Sequence, residues 1–143
     1  MDPYKRNIIP TDLYLKRSTI EGKLVAVMAE GIKDRKLKII KPITRALCKY
    51  EIVELISTDE KVNQLNQVND VAYLGFVEVQ KGGIVRKGDN VFINNKNIGH
   101  VLGYDETHMP NHLNLIVRMG KSLTGLDLNL NLKDKVEFKE TLQ

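Results

Sequence analysis

From Val71 onward the chain alternates apolar and polar residues in short runs broken by Gly and Asn, and a chain so patterned has few options besides a sheet that closes on itself. Val71 to Val79 is apolar on both phases, as a strand covered on two sides must be, and Lys81-Gly82-Gly83 supplies a turn after it. Asn90 to Ile93 and Asn97 to Tyr104 flank Asn94-Asn95-Lys96, a hairpin signal because asparagine tolerates the positive φ such turns need. Leu113, Leu115, Val117 and Met119 then alternate mainly with polar residues. Leu126, Leu128, Leu130 and Leu132 do the same with Asp127, Asn129 and Asn131, and Val136 and Phe138 finish the run. Closure removes the exposed strand edges that invite aggregation. The pattern predicts a mainly β fold, a small closed or partly open antiparallel β-barrel with one short helix.

The helix is expected in the first half, where Val62, Leu65 and Val68 recur at helical spacing within Asp59 to Val68 and Thr58 or Asp59 can cap the N-terminus. Around it, Lys23 to Glu30 reads as a buried strand ended by Gly31. Lys36 to Lys41 and Tyr50 to Ile56 read as further strands separated by Pro42. Residues 1–18, punctuated by Pro3 and Pro10, read as an N-terminal arm whose Ile8, Ile9, Leu13 and Leu15 need burial, which a neighbouring subunit can supply. No linker or repeat divides residues 1–143, so a single β-barrel domain is expected, assembled as a homodimer or other homo-oligomer. A chain of 143 residues can bury roughly 70% of its unfolded surface, enough for one core.

With 42% apolar and 28% charged residues the composition is that of an ordinary globular domain. The longest uninterrupted apolar stretch, Leu24 to Ala29, is far short of the roughly 20 residues a membrane span requires, so no membrane partner is expected. The first residues carry no apolar core of a secretory signal, which points to a cytoplasmic protein. Net charge is +4, and most of it comes from Gly31 to Lys49, where Lys33, Arg35, Lys36, Lys38, Lys41, Arg45 and Lys49 accompany one acid, Asp34. That stretch reads as the solvated side of an amphipathic strand or as a place for an anionic ligand. Without an aromatic RNA-binding motif, nucleic acid is not an expected partner. The single cysteine, Cys48, excludes an intrachain disulfide and a multi-thiolate zinc site. It reads as a small buried hydrophobe.

All three histidines, His100, His108 and His112, fall between Gly99 and His112. Together with Asp105, Glu106, Thr107 and Asn111 they gather acids, bases and hydrogen-bonding groups around one bend, as ligand-binding loops often do. His108 and His112 have the i, i+4 spacing of zinc ligands on a helix. Pro110 between them opposes a helix, and the glutamate of the H-E-x-x-H motif is missing. A loop can still bring His108, His112 and a carboxylate from Asp105 or Glu106 to one ion, so a divalent metal is the cofactor such a segment can hold. The competing reading has Asp105 or Thr107 capping the turn while the histidines bond to backbone groups. His100, in phase with Ile98, Leu102 and Tyr104, reads as a packed or interface residue.

Asp70-Val-Ala-Tyr-Leu-Gly-Phe-Val-Glu, Lys87-Gly-Asp and Gly103-Tyr-Asp-Glu-Thr-His-Met-Pro-Asn-His-Leu-Asn resemble a small uncharacterised bacterial family, a likeness covering roughly half the chain. Gly83-Ile-Val-Arg-Lys-Gly-Asp-Asn-Val-Phe-Ile is similar to the β-barrel module of translation factors, which implies architecture alone. Ile98-Gly-His-Val and Leu132-Lys-Asp-Lys-Val-Glu-Phe resemble the glucitol-type IIA component of the sugar phosphotransferase system. That family implies a small cytoplasmic barrel carrying a phosphorylated histidine, although its histidine motif does not align with His100, His108 or His112.

These readings converge on a barrel that binds a small molecule or metal through the Asp105 to His112 loop. Gly103 and Pro110 would shape it, and Asp105, Glu106, Thr107, His108, Asn111 and His112 would contact the ligand. Two other readings stand beside it. One is an enzyme using His108 or His112 for acid/base or phosphoryl-transfer chemistry, and the other is a structural or interaction module.

Overall fold

The structure, a computed structural model, describes residues 17–140. The expected arm therefore lies outside the described residues except for Arg17 and Ser18. The strands run β1 (Ile20–Val27), β2 (Gly31–Ile32), β3 (Leu37–Lys38), β4 (Thr44–Leu47), β5 (Ile52–Thr58) and β6 (Gln67–Val68). They continue with β7 (Val71–Lys81), β8 (Gly83–Arg86), β9 (Asn90–Ile93), β10 (Lys96–Asp105), β11 (Leu113–Arg118) and β12 (Lys135–Lys139). Among the described residues no helix forms, and so none is long and apolar enough to cross a membrane.

Strands β1, β12, β9, β10, β11, β5 and β7 are hydrogen-bonded in that order, and β7 pairs back onto β1 to close a seven-stranded barrel. An odd number of strands cannot alternate in direction all the way round, so a closed barrel of seven needs a parallel seam. That seam is β5 with β11, where Val53 lies opposite Leu113 and Thr58 opposite Arg118. The expected barrel is therefore present and closed, but mixed instead of purely antiparallel. Val53 and Leu55 of β5, Leu115 and Val117 of β11 and Leu74 and Val77 of β7 point into the core with fully buried Tyr104. Since successive side chains leave a strand on opposite faces, Glu54, Asn114 and Phe76 point outward from the barrel wall.

The outer wall at the parallel seam is not left to solvent. The small β3–β6 sheet lies over it, and Leu37, Ile39 and Val68 pack on Ile56, Ile116 and Val71 as a second core. This lid replaces the expected helix over residues 59–68. The Asn63 side-chain oxygen accepts from the backbone N–H of Leu65 (2.8 Å) and Gln67 (3.0 Å), and Asn66 adopts a φ of 59°. A side chain that supplies the acceptors a helix would take from its own backbone favours the turn. Val62 and Val68 are then drawn to the second core, while Leu65 is left 71% exposed.

A second correction concerns Leu126 to Leu132, which makes turns and no strand. Thr124 and Asp127 cap one another, the Asp127 carboxylate accepting from Thr124 N–H and the Thr124 hydroxyl from Asp127 N–H, each at 3.0 Å. Asn129 and Lys133 take positive φ values of 55° and 73°. Leu128 and Leu130 pack against the core, and Leu126 and Leu132 are exposed. Cys48 is exposed as well, against expectation, because it sits in a turn whose backbone N–H donates to the Glu51 carboxylate at 3.0 Å.

The expected hairpin forms as read. Ile93 pairs with Lys96, and Asn94 and Asn95 have φ values of 51° and 67°, the backbone of a two-residue type I′ turn. At the β1–β7 closure the register shifts between Leu24 and Ala26, and Gly75 lies so close to β1 that a Cβ there would collide with the Ala26 carbonyl oxygen. Gly75→Ala is accordingly expected to cost about 1–3 kcal/mol through backbone displacement at this seam. A urea unfolding midpoint equal to that of the wild type would show that the seam has slack.

Candidate functional site

The bend after β10 is built by Asp105. Its Oδ1 accepts from Thr107 N–H (2.9 Å) and from the Asn114 side-chain amide (3.0 Å), and its Oδ2 accepts from Lys38 N–H (3.2 Å). Only 2% exposed and satisfied by three donors, Asp105 caps the turn. Glu106 and Thr107 are exposed, and Glu106 contributes its carbonyl oxygen to Met109 N–H at 3.1 Å. Gly103 is required by packing, since a Cβ there would meet the Ile39 side chain at 2.5 Å.

The bend then closes a single turn, with His112 N–H donating to the His108 carbonyl at 3.2 Å and Asn111 N–H to the same oxygen at 2.9 Å. The Met109-Pro110 peptide is cis. One i→i+4 hydrogen bond without a continuing helix is enough to bring the two imidazoles together. Their ring centroids are 5.0 Å apart with planes 28° from parallel. Phe76 from the barrel wall meets His112 edge-on at 5.1 Å and fixes its ring against β7.

Facing this pair is Glu54, on the outer wall at the parallel seam, with Phe76 and Asn114 as its neighbours across β7 and β11. The Glu54 side chain is 8% exposed, and its Oε1 lies 3.4 Å from His112 Nε2. One ligand atom from each of Glu54, His108 and His112 falls within 4.8 Å of the others. His112 Nδ1 is 2.9 Å from the Asn111 side-chain oxygen. An amide oxygen only accepts, so Nδ1 carries the hydrogen and Nε2 of the neutral ring presents a lone pair. That Nε2 is buried and has no hydrogen-bond partner among the described residues.

A lone pair on His112 Nε2 and a carboxylate oxygen 3.4 Å away repel unless a proton or a metal ion lies between them. Donors held about 2.0–2.2 Å from a tetrahedral zinc lie about 3.3–3.6 Å from each other, which matches the His112–Glu54 contact. The arrangement of two imidazoles and one carboxylate can therefore hold a divalent transition metal.

A family model matches residues 14–139. The chain belongs to DUF6917, a family of unknown function. No curated protein and no solved structure matches this DUF6917 chain.

Of the ligand residues read from the sequence of this DUF6917 chain, His108 and His112 are brought together and Asn111 orients one of them. Asp105 supports the turn and stands outside the cluster of three. His100 is also elsewhere, half-buried opposite Arg118 beside a shallow hollow with Met119 and Gly120. Its alternation with Tyr104 is broken by a register shift between Val101 and Gly103. The basic residues of Gly31 to Lys49 disperse, Arg35 donating to the Tyr73 hydroxyl at 3.3 Å and Arg45 lying 3.6 Å from Glu51. Glu54 was missed by sequence reasoning, though it left a signal as the one charged residue in the apolar run Ile52 to Ser57.

Proposed function

We propose that this DUF6917 chain is a metal-binding β-barrel protein in which Glu54, His108 and His112 hold one divalent transition-metal ion on the outer wall of the barrel. The observation that carries the reading is the buried Nε2 of His112, without a hydrogen-bond partner among the described residues and 3.4 Å from the Glu54 carboxylate. Two imidazoles with one carboxylate favour zinc, iron(II), manganese or cobalt over calcium and magnesium, which take oxygen ligands. Three protein donors leave positions for water or a small anionic or carbonyl ligand, and an ion so exposed acts as a Lewis acid. His108, itself exposed, puts those positions on the solvent side.

An acid/base reading draws on the same contact: with Nδ1 donating to Asn111, the Nε2 lone pair beside Glu54 can take up a proton, but that reading gives no part to His108, stacked on His112 at 5.0 Å. Phosphoryl transfer onto His112 is opposed by the neighbouring carboxylate, which would repel an incoming phosphate.

Elemental mass spectrometry on protein purified without a histidine tag tests the proposal. About one zinc, manganese or iron per chain is expected in the wild type, with none in a His108→Ala, His112→Ala double variant. A wild type still metal-free after incubation with these ions would overturn it.

A further inference from the structure

We propose that the side-chain oxygen of Asn114 is a fourth donor to the ion held by Glu54, His108 and His112, an inference that rests on the metal reading above. Asn114 is 1% exposed, and its Oδ1 is buried without a hydrogen-bond partner among the described residues. Buried amide oxygens are almost always satisfied, so an orphaned one beside a cluster of metal-ligating groups marks a missing electrophile.

The direction of that oxygen follows from its neighbours. Strand β11 lies between β10 and β5. The Asn114 amide nitrogen donates to Asp105 Oδ1 on the β10 side at 3.0 Å. Oxygen and nitrogen diverge across the planar amide, so the oxygen turns to the β5 side, where Glu54 is the register partner of Asn114 one strand spacing away, about 4.8 Å. The reverse orientation would set the amide oxygen against the Asp105 carboxylate. Asp105 cannot relax to avoid it, being held by the Thr107 and Lys38 N–H groups.

Asp105 thus acts as a positioning residue. It aims Asn114 in the way that hydrogen-bonded carboxylates behind metal ligands usually do. The resulting set is two imidazole nitrogens, one carboxylate oxygen and one neutral amide oxygen, with a single negative charge. It suits a borderline divalent ion and disfavours copper(I), which prefers sulfur.

Cobalt(II) titration of the whole chain, followed by visible absorption, tests the assignment. Wild type is expected to bind a single ion. Asn114→Leu is expected to bind it about tenfold or more weakly, with an altered absorption spectrum because an oxygen donor is lost. A merely structural asparagine would leave the spectrum alone. Equal affinity and an identical spectrum in Asn114→Leu would overturn the fourth donor and leave the three-residue site standing, whereas a wild type that binds no cobalt overturns both. Should Asn114→Leu fail to fold, Asn114→Asp decides. It keeps an oxygen at the same place, so cobalt should raise its unfolding temperature by at least as much as that of the wild type, and a smaller rise overturns the proposal.

Discussion

Glu54→Leu is expected to raise the unfolding temperature of the metal-free protein and to abolish its stabilisation by metal. Glu54 is a 6% exposed acid on a wall it shares with Phe76, Asn114, Ile56 and Ile116, and His112 Nε2, 3.4 Å away, does not hydrogen-bond it. Holding a carboxylate largely away from water is costly, and an apolar side chain of similar volume that avoids this cost is expected to stabilise by about 1–3 kcal/mol. With the ion present the sign reverses. An ion at a thousandfold excess over its Kd adds about 4.1 kcal/mol to the folded state of the wild type, and the variant forfeits that gain. Thermal scans of both proteins with and without zinc should therefore cross. A variant that is less stable than wild type without metal, yet still gains stability with it, would assign Glu54 a packing role instead.

The second large effect is expected where Arg17, ahead of β1, meets the β8–β9 turn and Glu140. Arg17 makes a two-pronged contact with Asp89, Nη1 and Nη2 each 2.7 Å from a carboxylate oxygen, and also donates from Nε to Glu140 at 3.2 Å and from Nη1 to the Ile84 carbonyl at 3.0 Å. The hydrogen bond to Asp89 is the largest cause that raises the Arg17 pKa further above its ordinary value. Removing the guanidinium leaves the Asp89 carboxylate, 5% exposed, with the Arg86 N–H at 2.9 Å as its hydrogen-bond donor among the described residues.

Breaking a buried pair from one side typically costs 3–5 kcal/mol, and the 22% exposure of Arg17 reduces this. Arg17→Ala is expected to cost about 2–3 kcal/mol, a fall of roughly 10 °C in Tm for a domain of this size. Part of that loss should return in Arg17→Ala, Asp89→Ala, where no charge is stranded. A Tm unchanged in the single variant would mean that water serves Asp89 as well as Arg17 does. The charge lies close to Tyr104, whose buried hydroxyl is 3.2 Å from both the Ile43 and Val85 carbonyls. Burial, and then the negative charge of Asp89, hold its pKa well above the usual phenol range, so it remains a donor to those carbonyls.

Alternation and turn chemistry are local properties, and wherever they alone decided the outcome the sequence was sufficient. Asn94-Asn95 required a tight hairpin because few other residues accept that backbone, and Val71 to Lys81 required a strand buried on both faces. The turn at Asp105 was legible for the same reason, whereas Pro110 argued against a helix through His108 and His112, and the single turn that closes there stacks them all the same. Where a local preference competed with a distant partner it misled. Val62, Leu65 and Val68 have helical spacing, yet the Asn63 carboxamide and the second core outweigh a short helix. Leu126 to Leu132 alternates, but the Thr124–Asp127 caps leave its backbone no strand to join.

Only the tertiary structure decided which carboxylate faces the histidines. Asp105 and Glu106 are nearer in sequence, but Asp105 turns to cap the bend and Glu106 is exposed, whereas Glu54 comes from β5, which meets β11 at the parallel seam of the seven-stranded barrel. The same seam sets Asn114 beside Glu54. Strand alternation determined that both residues point out of the barrel, and closure with an odd strand number determined what they point toward.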